Sequence, residues 1–205
     1  GLRAGALQVE GGVAVIWQST FAHNYAPGNG GAASVTNGVL SFFGCTLEHN
    51  LAAGSGGAVF AGVNASVLLA NQTVLRRNSA TSQGATLYAD ALALVSYALP
   101  APLGSWIAGP FVCDSSAIRP CDWARNELTV GLTLFTFDHG GFEEDYPYAC
   151  PPGTFGSSIS IVDQSRQTCS GLCKPGTYQS VAGSRTCEAC TPGAYCLRGS
   201  SAPLP

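Results

Sequence analysis

Short apolar runs alternate with polar corners through the first hundred residues. Val13, Val15 and Trp17 alternate with smaller residues, and the runs 39–43 and 66–69 are bounded by Gly or Asn. This pattern predicts short β-strands separated by turns. Helical repeats would need long stripes of period 3.6 built from strong helix formers. We therefore expect this part of the chain to be all-β.

One short sequence motif recurs along these runs. In the stretch TFAHNYAPGNGGAAS (20–34), Phe21 stands three residues before Asn24, and a glycine pair begins six residues after that asparagine. Two degenerate copies keep the spacing, with Leu47, Asn50, Leu75 and Asn78. With an earlier turn at Gly5, glycine anchors recur at a nearly constant interval, at Gly5, Gly30, Gly56 and Gly84. Self-similarity at such a period is typical of a solenoid.

A repeat of about 26 residues fits three strands and three corners of a parallel β-helix, with coils about 4.8 Å apart. The apolar residue of each word should stack inside the coil. The asparagine should occupy one corner on successive coils, where it tolerates the left-handed conformation and bonds to the next asparagine. The predicted interior column is Phe21, Leu47 and Leu75, and the predicted ladder is Asn24, Asn50 and Asn78.

The pairing of GGA with FxxN resembles a known repeat. Gly56-Gly57-Ala58 and Phe21-Ala22-His23-Asn24 match the repeat of chlamydial polymorphic outer-membrane proteins and related right-handed β-helix adhesins. The resemblance covers roughly residues 5–98. It implies a right-handed parallel β-helix with a structural or adhesive role.

Cysteines are concentrated in the second half of the chain. Eight of nine lie after residue 110, and Cys45 alone lies within the repeats. We expect Cys45 to be a buried, free thiol that packs as a small apolar residue. A nucleophile near His49 is the functional alternative, which nothing else in the sequence supports.

The eight later cysteines predict disulfides. Cys113 and Cys121 close a short loop, and a Cys-x-Pro-Gly-x-aromatic unit then recurs. Sequential pairing gives Cys150–Cys169, Cys173–Cys187 and Cys190–Cys196. Eight cysteines allow 105 connectivities, and Cys196 pairing beyond residue 205 stays open. Zinc at the CEAC motif (187–190) is the rival interpretation, but no histidine follows Cys150 and a second pair would be needed.

The cysteine-rich segment resembles the ephrin-receptor-like repeats of eukaryotic extracellular proteins, related loosely to EGF and TNF-receptor modules. The matching words are CKPGTY (173–178), CEAC (187–190) and GAYC (193–196). The resemblance covers roughly residues 146–203. A β-helix followed by such repeats is similar to large surface proteins of algae and other protists, which implies an extracellular, oxidising setting.

The composition of the chain narrows the possible classes of function further. Of 205 residues only 10% are charged, and the net charge of −3 leaves no basic footprint for nucleic acid. Every apolar run is too short for a membrane-spanning helix, so none is expected. The chain lacks methionine and begins near a repeat anchor, so we expect a fragment of a larger protein. The sequons at Asn64 and Asn71 predict N-glycosylation in a secretory chain, with chance occurrence as the alternative.

Parallel β-helices also include polysaccharide lyases and hydrolases, so catalysis is the second hypothesis. Two outward columns hold its candidate residues: Ala22, Glu48 and Arg76, and then His23, His49 and Arg77. The sequence places no second carboxylate in this cluster, because Glu10 and Asp90 fall elsewhere in the repeat. Calcium at Glu143, Glu144 and Asp145 is a further alternative to a solvated acidic face.

These patterns predict three regions: a parallel β-helix at 1–99, a capping or linking region at 100–148, and cysteine-rich modules at 149–205. The predicted function is a non-catalytic structural or adhesive part of an extracellular surface or filament glycoprotein. A carbohydrate-active, pectate-lyase-like enzyme is the alternative. No cofactor or metal is expected. The expected partners are other copies of the chain, other extracellular structural proteins, and glycans.

Overall fold

The computed structural model describes residues 4–107, 111–113, 134–137 and 139–205, with the backbone alone for 111–113 and 134–136. Within them lies one short helix, α1 (Ile161–Gln164). The strands, in chain order, are β1 (Leu7–Trp17), β2 (Thr20–Ala22), β3 (Tyr25–Ala26), β4 (Ala33–Phe43), β5 (Thr46–Glu48), β6 (Leu51–Ala52), β7 (Val59–Ala61), β8 (Ser66–Ala70), β9 (Val74–Arg76), β10 (Ser79–Ala80), β11 (Leu87–Ala89), β12 (Leu94–Ala98), β13 (Ser105–Trp106), β14 (Phe111–Cys113), β15 (Leu134–Thr136), β16 (Gly140–Phe142), β17 (Tyr148–Ala149), β18 (Thr154–Phe155), β19 (Gly171–Leu172), β20 (Thr177–Tyr178) and β21 (Glu188–Ala189). The predicted all-β fold class is confirmed.

Strands β1 to β12 form the successive coils of a parallel β-solenoid. The first coil contributes β1, which pairs in parallel with β4 of the second coil. Strand β4 pairs in turn with both β7 and β8 of the third coil, and these pair with β11 and β12 of the fourth. Two smaller parallel sheets close the coil, with strand orders β2-β5-β9 and β3-β6-β10. The solenoid predicted from the repeat is therefore confirmed.

The uneven repeat length arises from two single-residue insertions in the third coil. Ala33 pairs with Val59, whereas Val39 pairs with Ser66, so the third coil has gained one residue between these two pairings. In the next sheet Thr46 pairs with Val74, which shows that a second residue has been added by that point. Each insertion lies at a corner, so the strands on either side keep their parallel pairing.

The predicted alignment of the corner glycines is shifted by one residue at Gly5, the first glycine of the column. Gly5 lies against Gly31 and not Gly30, because a Cβ on Gly5 would lie 2.1 Å from the Gly31 carbonyl oxygen. Gly31 approaches the Gly57 carbonyl oxygen in the same way, at 2.0 Å. Backbone packs directly on backbone at this corner, which a side chain would prevent.

The interior of the solenoid is apolar and its columns follow the strand register. Phe21 is opposite Leu47, and Leu47 is opposite Leu75. Leu47 and Leu75 are fully buried, whereas Phe21 in the first coil is half-buried. Phe42 meets Phe21 edge to face, with ring centroids 5.7 Å apart. Such close contacts between coils supply most of the apolar burial that stabilises a thin solenoid.

The fourth coil is covered by antiparallel strands. Strand β15 pairs with β12, and β16 pairs with β11. Tyr146 continues this layer, since its backbone N–H and carbonyl both bond to Leu75 at 2.9 and 2.8 Å. Gly141 permits the close approach, because a Cβ there would lie 2.5 Å from the Gly84 nitrogen. These strands supply hydrogen-bond partners that a further coil would otherwise supply.

Contacts divide the chain into two compact units. The first comprises Gly1–Leu99 with Gly109–Tyr146, and the second comprises Pro100–Ala108 with Pro147–Pro205. Within the second unit, the buried side chain of Gln164 on α1 holds the segment beginning at Ala101. Its Nε2 donates to the Ala101 carbonyl at 2.7 Å, and its Oε1 accepts from the Ala101 N–H at 2.9 Å. Small antiparallel pairs, β13-β17, β18-β19 and β20-β21, make up the rest.

Candidate functional site

The asparagines of the repeat form a hydrogen-bonded column at one corner. Asn50 Oδ1 accepts from the backbone N–H of Asn24 at 3.0 Å and from its Nδ2 at 2.9 Å. Asn78 Oδ1 accepts the same two bonds from Asn50. Asn50 is fully buried, and its Nδ2 also donates to the Phe21 carbonyl. The structure thus brings Asn24, Asn50 and Asn78 together as a ladder that fixes neighbouring coils.

The left-handed backbone at this corner lies one residue earlier than predicted. His23, His49 and Arg77 have φ between 52° and 57°, whereas the asparagines that follow them do not have positive φ. The prediction that the ladder asparagines adopt this conformation is therefore wrong. Their amide groups have to reach the adjacent coil, and the preceding residue makes the turn that allows it.

The two outward columns predicted beside the ladder are present. His23 and His49 stack with ring centroids 5.0 Å apart and planes 4° apart. Arg76 Nε donates to Glu48 Oε2 at 2.9 Å, in an ion pair that remains partly exposed. An exposed pair of this kind contributes about 0–1 kcal/mol.

A second carboxylate does lie beside these columns, contrary to the sequence interpretation. Asp145 Oδ1 accepts the backbone N–H of Arg77 at 2.6 Å. In the coils below, the equivalent N–H groups of His23 and His49 donate to the carbonyls of Glu48 and Arg76. Asp145 therefore takes the place of a carbonyl from a further coil.

Glu143 acts in the same way at the glycine corner. Its two carboxylate oxygens accept the N–H groups of Gly84 and Ala85, each at 2.7 Å. In the preceding coil, the corresponding N–H groups of Gly56 and Gly57 donate to backbone carbonyls. Charge-assisted hydrogen bonds of this length are the stronger kind. Two of the three residues considered for calcium thus accept hydrogen bonds from the last two coils. No metal-binding group of His, Cys, Asp or Glu occurs in the part of the chain that the structure describes.

Both sequon asparagines lie at exposed corners of the solenoid. Asn64 and Asn71 have φ of 52° and 50°, and each marks one of the insertions in the third coil. Asn64 Nδ2 donates to Asn37 Oδ1 of the coil below at 3.2 Å. Exposure at a turn is compatible with a glycan, so glycosylation at both positions stays a prediction.

Another outward column, which the sequence analysis did not assemble, crosses all four coils. Glu10 is opposite Thr36. Gly62 follows Ala61, the partner of Val35, and Asp90 follows Ala89, the partner of Ala61. The column therefore runs Glu10, Thr36, Gly62, Asp90. Counting six residues from the glycine anchors would have found its last three members, because Thr36, Gly62 and Asp90 follow Gly30, Gly56 and Gly84 at that interval.

A groove follows this column. A hollow of about 220 Å³ is lined by Asn29, Ser34, Thr36, Phe60, Gly62, Val63 and Asp90. A second hollow of about 440 Å³ shares Thr36 with the first and extends the groove to Glu10 and Asn37. Phe60 stacks on Tyr88 of the next coil, with centroids 5.4 Å apart and planes 4° apart. We call this feature the outer groove.

Three disulfides join six of the later cysteines. They are Cys150–Cys169, Cys173–Cys187 and Cys190–Cys196, so Cys187 and Cys190 are not zinc ligands. The predicted Cys113–Cys121 bridge lies outside the described residues. Disulfides of this density are typical of an oxidising compartment.

Cys45 is buried and free. Its Sγ lies 3.5 Å from the Phe43 carbonyl oxygen and 3.6 Å from that of Ile16. A thiol enclosed by backbone has no access to a substrate, which argues against the nucleophile alternative.

Comparisons with protein-family models, curated proteins and solved structures gave no match. The fold alone therefore defines the class of protein: a β-solenoid of about four turns, with a disulfide-rich C-terminal region. No helix in the described part of the chain is long and apolar enough to cross a membrane.

Proposed function

We propose that this chain is a non-catalytic, structural or adhesive part of a larger extracellular glycoprotein. The observation that carries the proposal is the use of the repeated positions. Asparagines bond coil to coil, glycines allow backbone contact, and apolar residues fill the interior. Residues that recur from coil to coil serve cohesion, as expected of a stiff scaffold.

An extracellular setting is supported by the second unit. Its three disulfides close segments with sequence separations of 19, 14 and 6 residues. Such bridges stabilise small loop-rich modules that lack a large core. The sequons at Asn64 and Asn71 and the resemblance to ephrin-receptor-like repeats agree with this setting. The surface glycoproteins of algae and other protists remain the type of protein that the chain resembles.

The enzyme hypothesis finds less support in the outward columns. Glu48 is engaged by Arg76, and Asp145 is engaged by the backbone of Arg77. A general acid–base pair needs carboxylates whose lone pairs face a substrate. Glu10 and Asp90 stand three coils apart, about 14 Å at the usual inter-strand spacing. That separation exceeds what a pair of glycosidase carboxylates uses, about 5–9.5 Å.

Localisation tests the proposal directly. Antibodies raised against the purified chain should label intact, unpermeabilised cells of the source organism on their outer surface or appendages, as seen by electron microscopy. Labelling confined to the interior of permeabilised cells would contradict the proposal.

A polysaccharide cleavage assay tests the enzyme alternative. The chain, secreted from a eukaryotic host, is incubated with neutral and acidic polysaccharides, and new chain ends are measured. We expect no products. Cleavage that is lost when Glu48, His49 and Arg76 are replaced together by Ala would show that the enzyme interpretation is right.

A further inference from the structure

The outer groove combines an aromatic wall with polar groups. The Phe60 ring packs on Tyr88 in the following coil, and in the preceding coil the same position holds the small residue Ser34. One side of the ring is therefore stacked, and the other faces the hollow above Ser34. Phe60 is half-buried and lines the hollow.

Gly62 forms the floor between the wall and the polar groups. A Cβ on Gly62 would lie 3.0 Å from Phe60 Cε1 and 2.8 Å from Thr36 Oγ1. The ring and that hydroxyl therefore lie close over Gly62, and a side chain there would have to displace one of them. Unlike Gly56 or Gly84, Gly62 does not have a positive φ, so the turn geometry does not require glycine there.

The polar groups around the hollow can accept and donate hydrogen bonds. Asp90 Oδ1 accepts from the Leu92 N–H at 3.1 Å, and no donor among the described residues contacts its Oδ2. Asn29 Oδ1 accepts from the Ser55 N–H, and Asn29 also lines the hollow. Thr36 adds a hydroxyl, and Glu10 adds a second carboxylate farther along.

We propose that the outer groove binds an uncharged carbohydrate chain laid across the coils. Hydroxyl groups of a sugar donate to carboxylate oxygens in charge-assisted hydrogen bonds, and the apolar C–H face of a pyranose ring packs on an aromatic ring. The lining contains two carboxylates and no Lys or Arg, so an acidic sugar is repelled. Glu10 and Asp90, about 14 Å apart, then contact different sugars of one chain.

Binding measurements with defined oligosaccharides test the proposal. Cellohexaose, laminarihexaose, mannohexaose and maltohexaose are the uncharged probes, and hexagalacturonate is the acidic one; each is titrated into the full chain by calorimetry and by fluorescence. We expect at least one uncharged probe to bind and hexagalacturonate not to bind. Failure of every uncharged probe, or tighter binding of hexagalacturonate, would overturn the proposal.

Variants locate the site. Phe60→Leu keeps apolar bulk but removes the ring face, and Gly62→Ala adds a methyl group that displaces the ring or the Thr36 hydroxyl; each should weaken binding by about tenfold or more. Asp90→Asn keeps the acceptor for Leu92 and should weaken binding by roughly threefold or more. Glu48→Gln, on a different face, is the control and should bind normally. Since unfolding would also abolish binding, circular dichroism must match wild type; a well-folded Phe60→Leu and a well-folded Gly62→Ala that both bind normally would refute the site.

Discussion

Asn50 shows how a single side chain holds this fold together. Its buried amide accepts two bonds from Asn24 and donates to Phe21 and Asn78. Buried amides cost free energy unless their groups are satisfied, and here the adjacent coils satisfy them. The spacing of the FxxN word predicted this column, because stacked residues recur at the period of the coil. The spacing could not predict which residue adopts the left-handed backbone conformation, since His, Asn and Arg all adopt it at polar corners of this solenoid.

Replacing Asn50 by Ala should lower the free energy of unfolding of the solenoid by about 2–4 kcal/mol, because it leaves the partly buried Phe21 carbonyl and Asn24 N–H without their partner. Urea unfolding followed by circular dichroism measures the effect. Asn37→Gly is the matched control, because Asn37 is exposed, has a φ of 51° that Gly tolerates, and should change stability by less than about 0.5 kcal/mol. Equal effects of the two variants would contradict the role given to the ladder.

Tyr97 predicts a dependence on alkaline pH. Its buried hydroxyl donates to the Thr73 carbonyl at 2.8 Å, and burial, together with nearby Tyr146, raises its pKa well above the usual value of about 10. Because the folded pKa is raised, the stabilising contribution is complete below about pH 10 and is lost as pH rises through the folded pKa.

The variant Tyr97→Phe should therefore be less stable at neutral pH by about 1 kcal/mol, through loss of the hydrogen bond. It should also lose less stability than wild type between neutral pH and strongly alkaline pH. Urea midpoints at both conditions measure the difference. Tyr25→Phe, at an exposed ring, is the control and should behave as wild type. If Tyr97→Phe loses as much stability at alkaline pH as wild type does, another group is responsible for the pH dependence.

At the scale of the elements, the end of the solenoid depends on groups distant in sequence. The carboxylates of Glu143 and Asp145 reach back 58 residues to Ala85 and 68 residues to Arg77. A repeat pattern predicts contacts at its own period and none beyond it. The acidic run therefore suggested a solvated face or a calcium site, whereas Glu143 and Asp145 accept hydrogen bonds from the last two coils. The strands themselves were predictable, because alternation and glycine punctuation are local signals.

Glu143→Gln should loosen the last coil. The amide retains one acceptor oxygen but turns an NH2 group toward the N–H of Gly84 or Ala85, at a cost of about 1 kcal/mol at this partly exposed position. We expect the amide hydrogens of Gly84 and Ala85 to exchange roughly fivefold faster, as measured by NMR. Glu144→Gln alters an adjacent exposed carboxylate and should leave those rates unchanged. Rates equal to wild type in Glu143→Gln would argue against the carboxylate cap.

The outer groove illustrates a different limit of sequence reasoning. Glu10 and Asp90 carry no shared motif and differ in type from Thr36 and Gly62 between them. The four residues share one column only because the coils stack in register. A search for recurring motifs does not detect a position whose residue type changes from coil to coil. Such a position is found by counting a fixed number of residues from each corner glycine, once the glycines are aligned.

For the whole molecule, the redox state distinguishes Cys45 from the later cysteines. The second unit holds three disulfides, whereas Cys45 in the first is a buried thiol. Alkylation of unreduced protein, followed by peptide mass spectrometry, should modify Cys45 only after denaturation, because burial protects it in the folded state. The cysteines after residue 110 should stay unmodified in both states. Several alkylated cysteines in that region would contradict an oxidising environment.

The central claim is that this chain is an oxidised, glycosylated structural module of an extracellular assembly. The most direct test is a density map of native material isolated from the source cells without reductant. The account predicts stacked coils about 4.8 Å apart, intact C-terminal disulfides, glycans on Asn64 and Asn71, and contacts with other extracellular structural protein. A map showing the chain outside any assembly, with reduced cysteines and unmodified sequons, would contradict it.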